Sequence, residues 1–266
     1  MGLTQRKGAL LRFALLGSGS SGNALLVASS NSKILIDNGF SLKELETRIA
    51  AIGETLDGLN AVFVTHEHSD HVKGIGILAR RLGAPVYMTP KTFESLPESV
   101  GALPRIELFE SGESVTIGGL TLASFNVCHD AADPVSFVVQ SNGAKLGLAA
   151  DLGHAPQYVK QRLEGSHALI LESNHCLDML HRGPYPDALK QRIRSRHGHL
   201  SNADMTSLLA SLVHDGLQIV VLVHLSLENN RPEIVRDMAA GVLKGHHAEL
   251  HVAHQDVPTP LFVIHS

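Results

Sequence analysis

Apolar positions along this chain switch between a period of two and a period near 3.6, and the switches lay out its elements. Leu11 to Leu16, Ala24 to Ala28 and Lys33 to Ile36 read as short strands, separated by the Gly/Ser/Asn-rich loop Gly17 to Asn23. Leu42, Leu45, Ile49 and Ile52 then repeat at helical spacing between a Ser41/Glu44 capping box and Gly53. A strand over Ala61 to Val64 and a helix over about Val72 to Leu82, ended by Gly83, continue the alternation. Val115-Thr116-Ile117 and Leu120-Thr121-Leu122 flank Gly118-Gly119, and Ser136 to Gln140 and Lys145 to Ala149 flank Ser141-Asn142-Gly143-Ala144, which predicts two hairpins. Helices near Ala155 to Leu163, Asn202 to Val213 and Pro232 to Leu243 interleave with strands at Ala168 to Leu171 and Ile219 to Val223. Two sheets covered by helices fit this mix, with no repeat and no linker long enough to divide residues 1–266 into more than one domain.

Composition narrows the class. At 266 residues with 44% hydrophobic and 18% charged, the chain has the material for one large buried core. A net charge of −4 gives no overall basic field, so a nucleic-acid contact would need a local patch. Cys128 and Cys176 are too few for a disulfide framework, form no Cys-x-x-Cys pair and read as small buried residues suited to a reducing cytosol. Arg6 and Lys7 before Ala9-Leu10-Leu11 faintly imitate a signal peptide, but Arg12 interrupts the run and the opening Met1 to Gly17 reads as a first strand. No run approaches the roughly 18 to 20 apolar residues of a membrane span, so a soluble, cytoplasmic protein is expected.

Candidate chemistry is concentrated in Thr65-His66-Glu67-His68-Ser69-Asp70-His71, which crowds three imidazoles and two carboxylates directly after Ala61-Val62-Phe63-Val64. At the end of a strand, alternate side chains of His66-x-His68-x-Asp70-His71 can reach one metal ion and the next pair a neighbouring one. A His-rich surface loop is the bland alternative, but loose His-rich tracts rarely follow a buried strand in this register. Other apolar runs also end in a ligand or acid: Asp37 after Ile34 to Ile36, His129 after Leu122 to Val127, Asp151 after Leu148 to Ala150, Glu172 after Leu169 to Leu171 and His224 after Val221 to Val223. Rigid strands thus aim polar groups at one edge.

On these residues the chain resembles the metallo-β-lactamase fold hydrolases with a dinuclear metal centre. The resemblance implies an α+β fold, the four-layer αββα sandwich. It places one metal on His66, His68 and His129, the other on Asp70, His71 and His224, with Asp151 bridging and Asp37 supporting the ligand loop from behind. Asp151 stands where a class B1 lactamase has cysteine, and the first motif lacks the extra carboxylate of diiron oxidoreductases, so a hydrolase is implied. Ligand type fits zinc or manganese, with iron the third candidate.

Gly17-Ser18-Gly19-Ser20-Ser21-Gly22-Asn23, Cys128 to Pro134, Gly183-Pro184-Tyr185-Pro186, Gly198-His199-Leu200-Ser201-Asn202 and His224 to Asn230 resemble the WalJ (YycJ) branch over nearly the whole chain. Cys128, where serine is commoner, and Ala150, where threonine often precedes the bridging acid, are the departures. That branch consists of bacterial cytosolic DNA exonucleases acting from the 5′ end, and is related to RNase Z and the β-CASP nucleases. The resemblance implies a phosphodiesterase acting on nucleic acid, with DNA the expected substrate. Asp70 would orient the attacking hydroxide, and His199, supported by Glu172, would protonate the leaving oxygen. Neither a β-CASP insertion nor the long tRNA-clasping arm fits the spacing from Asp151 to Glu172 and His224.

Arg182, Lys190, Arg192, Arg194 and Arg196 could contact phosphates while Tyr185 offers a stacking face, or could form an ordinary solvated helix face. The Gly17 to Asn23 loop lacks a P-loop ending and reads as a flexible turn. His175 is flagged for its closeness to Glu172. Two rival readings remain open: a glyoxalase II-like hydrolase of small esters, thioesters or lactones on the same metals, and a metal-binding module without turnover.

Overall fold

The computed structural model describes residues 11–266, so the stretch holding Arg6 and Lys7 lies outside the described residues. The chain first lays down strands β1 (Leu11–Gly17), β2 (Ala24–Ala28) and β3 (Lys33–Ile36), helix α1 (Leu42–Ala51) and strand β4 (Ala61–Phe63). Helices α2 (Ser69–Val72) and α3 (Ile75–Leu82), strand β5 (Val86–Met88), helix α4 (Pro90–Glu94) and strand β6 (Ile106–Leu108) follow. The second half contributes β7 (Ser114–Ile117), β8 (Leu120–Asn126), β9 (Val135–Ser141), β10 (Ala144–Ala149), α5 (Gln157–Leu163) and β11 (Ala168–Glu172). It continues with α6 (Leu177–Arg182), α7 (Asp187–Arg194), α8 (Asn202–Leu212), β12 (Ile219–Val223), α9 (Pro232–Val242) and β13 (Glu249–Val252), before β14 (Phe262–Ile264) returns to the first sheet.

Two seven-stranded mixed sheets result, ordered β14-β1-β2-β3-β4-β5-β6 and β13-β12-β11-β10-β9-β8-β7. In the first, pairing is antiparallel from β14 to β3 and parallel from β3 to β6. The second is antiparallel from β7 to β10 and parallel from β10 to β13. Strand periodicity explains the layers. In β11, Ala168 and Ile170 enter the core between the sheets while Leu169 and Leu171 pack outward among residues of α5, α8 and α9. In β2 and β3, Leu25, Val27, Ile34 and Ile36 point inward, and Leu26 and Leu35 meet α1 and α3. Both faces of each central strand are therefore apolar, and two sheets flanked by helices form the expected α+β sandwich. No described helix is long and apolar enough to cross a membrane.

Several local expectations change. The helix expected over about Val72 to Leu82 begins at Ile75 as α3, and the short α2 precedes it; between them the chain passes against the loop after β3, where a Cβ on Gly74 would sit 1.8 Å from the Phe40 carbonyl oxygen. The capping box is half formed. Ser41 accepts from the Glu44 N–H, but the Glu44 carboxylate turns to Arg48, 2.7 Å away. The second hairpin closes through Asn142 and Gly143, whose φ values of 47° and 90° belong to the turn that an Asn-Gly pair favours. Cys128 and Cys176 are half-buried rather than buried, and both are free thiols.

Candidate metal centre

Carboxyl ends of the parallel strands in both sheets converge at one edge, and the polar residues that follow them meet there. Asp37, Asp151 and His224, directly after or one residue beyond β3, β10 and β12, all adopt left-handed backbone with φ of 61°, 54° and 57°. Asp and His tolerate that region better than most residues, yet each such position costs on the order of 1–3 kcal/mol and tends to mark a functional site. The turn swings the side chains of Asp151 and His224 out of the strand direction and into a cleft of about 510 Å³, whose lining also includes His68, His129 and His199, while that of Asp37 turns to Thr65 and His71 behind it.

Three imidazoles form the first group. His66, His68 and His129 each offer a ring nitrogen within 4.8 Å of the others. His66 Nε2 and His68 Nδ1 lie 3.1 Å apart, close to the edge of about 3.3 Å expected for two nitrogens on one tetrahedral zinc with bonds of about 2.0–2.1 Å. The opposite nitrogens are held by oxygen: His66 Nδ1 is 2.9 Å from Thr65 Oγ1 and His129 Nδ1 is 3.1 Å from the Gly198 carbonyl. Burial, then the charge of neighbouring imidazoles, keeps the His66 pKa well below its ordinary value, and burial also depresses that of His129. Both are neutral donors, as metal ligands must be.

Asp151 joins the second group through both of its oxygens. Its Oδ2 is 3.4 Å from His71 Nε2, and its Oδ1 is 2.9 Å from His224 Nδ1 and 3.7 Å from His199 Nδ1. Donor atoms of Asp151, Glu172, His199 and His224 form a set within 4.8 Å of one another. Asp70 and His71 stand on the other side of Asp151, with His71 Nε2 3.5 Å from Asp70 Oδ2. Asp37 fixes this side: its Oδ1 accepts from Thr65 N–H at 2.8 Å, and its Oδ2 accepts from Thr65 Oγ1 at 2.8 Å and His71 Nδ1 at 2.9 Å. That leaves His71 Nε2 facing Asp70 and Asp151, the arrangement expected of a histidine ligand backed by a carboxylate.

Electrostatics record the crowding. Burial alone would lower the His71 pKa, but the carboxylates of Asp37, Asp151 and Asp70 carry it up to about 9. His224 is likewise pushed well above its ordinary value, against burial, by Asp151 and Glu172. Burial would raise Asp151 and Glu172, yet the adjacent imidazoles hold Asp151 well below the carboxylate range and Glu172 at about 2. Carboxylates this buried require compensating positive charge, which divalent cations would supply. Neutral His66 and His129 on one side, and on the other ionised carboxylates whose imidazole partners His71 and His224 can give up protons to a cation, therefore fit divalent metal binding.

Glu172, fully buried, is the hub on the side away from Asp37. Its Oε2 accepts from the N–H groups of Leu152 and Leu200, while its Oε1 faces His199 Nδ1 at 2.6 Å and His224 Nδ1 at 3.1 Å. Every residue expected at the site thus lies in or beside the cleft. Residues that sequence reasoning missed complete it. Asn23 Nδ2 lies 3.1 Å from Asp70 Oδ2 and 3.0 Å from His71 Nε2, and Ser18 Oγ accepts from the His224 N–H. The Gly17 to Asn23 loop is accordingly a brace for both ligand segments rather than a flexible turn. His175 is buried with neither ring nitrogen hydrogen-bonded, and burial brings its pKa down to about 4.

A family model described as a β-lactamase superfamily domain matches residues 32–225. Exodeoxyribonuclease YycJ of Bacillus anthracis is 36% identical over 259 residues, covering 94% of this chain and 98% of that protein. Exodeoxyribonuclease WalJ of Streptococcus pneumoniae serotype 2 is 34% identical over 84% of each chain. The metallo-β-lactamase fold protein YhfI of Bacillus subtilis superposes with a TM-score of 0.70 at 19% identity, covering 94% of this chain and 99% of that one. By its match to the family model and to these relatives over most of its length, the chain belongs to the β-lactamase superfamily and, within it, to the YycJ/WalJ family.

Proposed function

We propose that this protein is a dinuclear metal-dependent phosphodiesterase, an exodeoxyribonuclease that works from the 5′ end of DNA in the cytosol. The structural observation that carries the reading is the His199–Glu172 pair, 2.6 Å apart and opening on the same cleft as the imidazole cluster. DNA as the substrate, and attack at a chain end, come from the names of the YycJ and WalJ relatives.

In this reading His66, His68 and His129 would hold one ion and Asp70, His71 and His224 the other, with Asp151 shared between the two. When bound, the two ions, zinc or manganese with iron as third candidate, would supply positive charge against the phosphoryl oxygens and would lower the pKa of an attacking water. Asp70, at the cleft, orients that water. His199 gives its Nδ1 hydrogen to Glu172, which leaves Nε2 to deliver a proton to the departing oxygen, and the buried carboxylate stabilises the imidazolium before transfer. Glu172 also holds His224, so one carboxylate orients a ligand and the general acid together.

A substrate panel tests the reading: single- and double-stranded 5′-labelled DNA, RNA and a generic thioester, each offered with Mn²⁺ or Zn²⁺ beside an Asp70→Ala control. Metal-dependent loss of the DNA label, absent from the control, is expected. Turnover of the thioester with DNA left intact would instead assign the glyoxalase II-like activity.

A further inference from the structure

The metal cleft has two apolar walls that no ligand role explains. One is α7, which has no buried residue although it is amphipathic. Tyr185, just before it, and Leu189 and Ile193 within it follow at intervals of four and line the cleft together. On the same helix Lys190, Arg192 and Arg194 carry positive charge. The other wall is the loop after β12, where Leu225 and Leu227 line the cleft and Leu227 is 69% exposed.

That exposure belongs to a braced loop. Ser226 N–H donates to the Asn174 carbonyl at 2.9 Å, Asn229 N–H to Ser226 Oγ at 3.1 Å, and Arg231 to the Leu227 carbonyl at 3.2 Å. The opposite wall is fixed as well. Arg192 pairs with Asp130, and His199 N–H donates to the Ile193 carbonyl at 2.9 Å, so the apolar face of α7 and the proposed general acid form one connected segment. A rigid slot with an aromatic and aliphatic lining, beside anion-binding chemistry and a cationic helix, matches a nucleotide: phosphate toward the ligands, base between the walls. Its volume of about 510 Å³ holds one nucleotide with room for water.

We propose that the Tyr185–Leu189–Ile193 face of α7 and the Leu227 tip grip the unstacked base of the terminal nucleotide, so that the substrate is a DNA end whose last base is single-stranded or frayed. This inference rests on the nuclease reading above. Base–aromatic contacts of this kind contribute about tenfold each in binding, and they tolerate any base because every base offers an apolar face.

The test compares two 5′-labelled oligonucleotides with Mn²⁺, one ending in a normal nucleotide and one in an abasic tetrahydrofuran residue. The unaltered protein should favour the base-bearing end by about tenfold or more. Leu227→Ser and Tyr185→Ala, both at solvent-accessible positions, should each pull that ratio toward one. A ratio near one in the unaltered protein, or a ratio that survives both substitutions, overturns the base grip while leaving the nuclease reading in place. No hydrolysis of either oligonucleotide, with metal bound, overturns both.

Discussion

Asp37→Asn isolates what the strand-end acid does for the centre. The side chain is buried, its volume is conserved by the change, and asparagine tolerates φ of 61° as well as aspartate does, so the backbone is not a confounder. One oxygen can still accept from Thr65 N–H. The amide nitrogen, however, replaces Oδ2, which now receives Thr65 Oγ1 at 2.8 Å and His71 Nδ1 at 2.9 Å. Thr65 can rotate and accept, whereas His71 must either oppose donor to donor or move its proton to Nε2, the atom that should carry the lone pair. Losing such a backing carboxylate costs roughly 10–100-fold in metal affinity, or about 1.4–2.7 kcal/mol. The metal-free fold should also lose about 1.5–3 kcal/mol with the charged hydrogen bond. Competition against a chromophoric chelator measures the first quantity and denaturant unfolding of stripped protein the second. Unchanged affinity for both equivalents of metal would refute the tautomer argument, whatever happens to stability.

Five further outcomes are expected. His199→Ala should lower phosphodiester cleavage by about 10²–10⁴-fold while metal content, read by elemental analysis, stays at the unaltered level. Glu172→Gln should lower both the rate and the affinity for metal, since one carboxylate oxygen serves His199 and His224. Gly39→Ala would place a Cβ 1.9 Å from the Asp70 carbonyl oxygen and should destabilise by about 1–3 kcal/mol in thermal unfolding while weakening metal binding. In the metal-free protein His71 is raised to about 9, so its stabilising contribution is complete below about 6.5 and lost as pH rises through 9. Glu172, lowered to about 2, contributes above about 4.5 and loses that as pH falls toward 2. Unfolding of stripped protein against pH should therefore show maximal stability near pH 5–6.5, and metal loading at pH 7.5 should release protons in calorimetry run in two buffers.

What could be read in the sequence follows from locality. His66, His68, His129, Asp151, Glu172 and His224 sit at the ends of apolar strands, and in a sandwich whose parallel strands share an edge that position alone brings them together. The close approach at Gly74 is invisible locally, because the Phe40 carbonyl belongs to a distant loop. Strands β5, β6 and β14 have only three residues each, too few to display a period. Helix α7 escapes an amphipathic search for the core because its apolar stripe faces the cleft. Asn23 and Ser18 read as loop residues since their partners, Asp70, His71 and His224, lie far along the chain. The left-handed turns at Asp37, Asp151 and His224 carry no glycine to announce them.

The central claim is that this cleft cuts DNA ends with bound metal, and one time course tests it most directly. Protein stripped of metal, then reloaded with Mn²⁺ or Zn²⁺, is given 5′-labelled single-stranded DNA beside an Asp151→Asn control, and the released label is sized. The account predicts labelled mononucleotide from the first time point, only with metal and only from the unaltered protein. Release without metal, equal release by the control, or intact DNA in the presence of a fully loaded centre would contradict it.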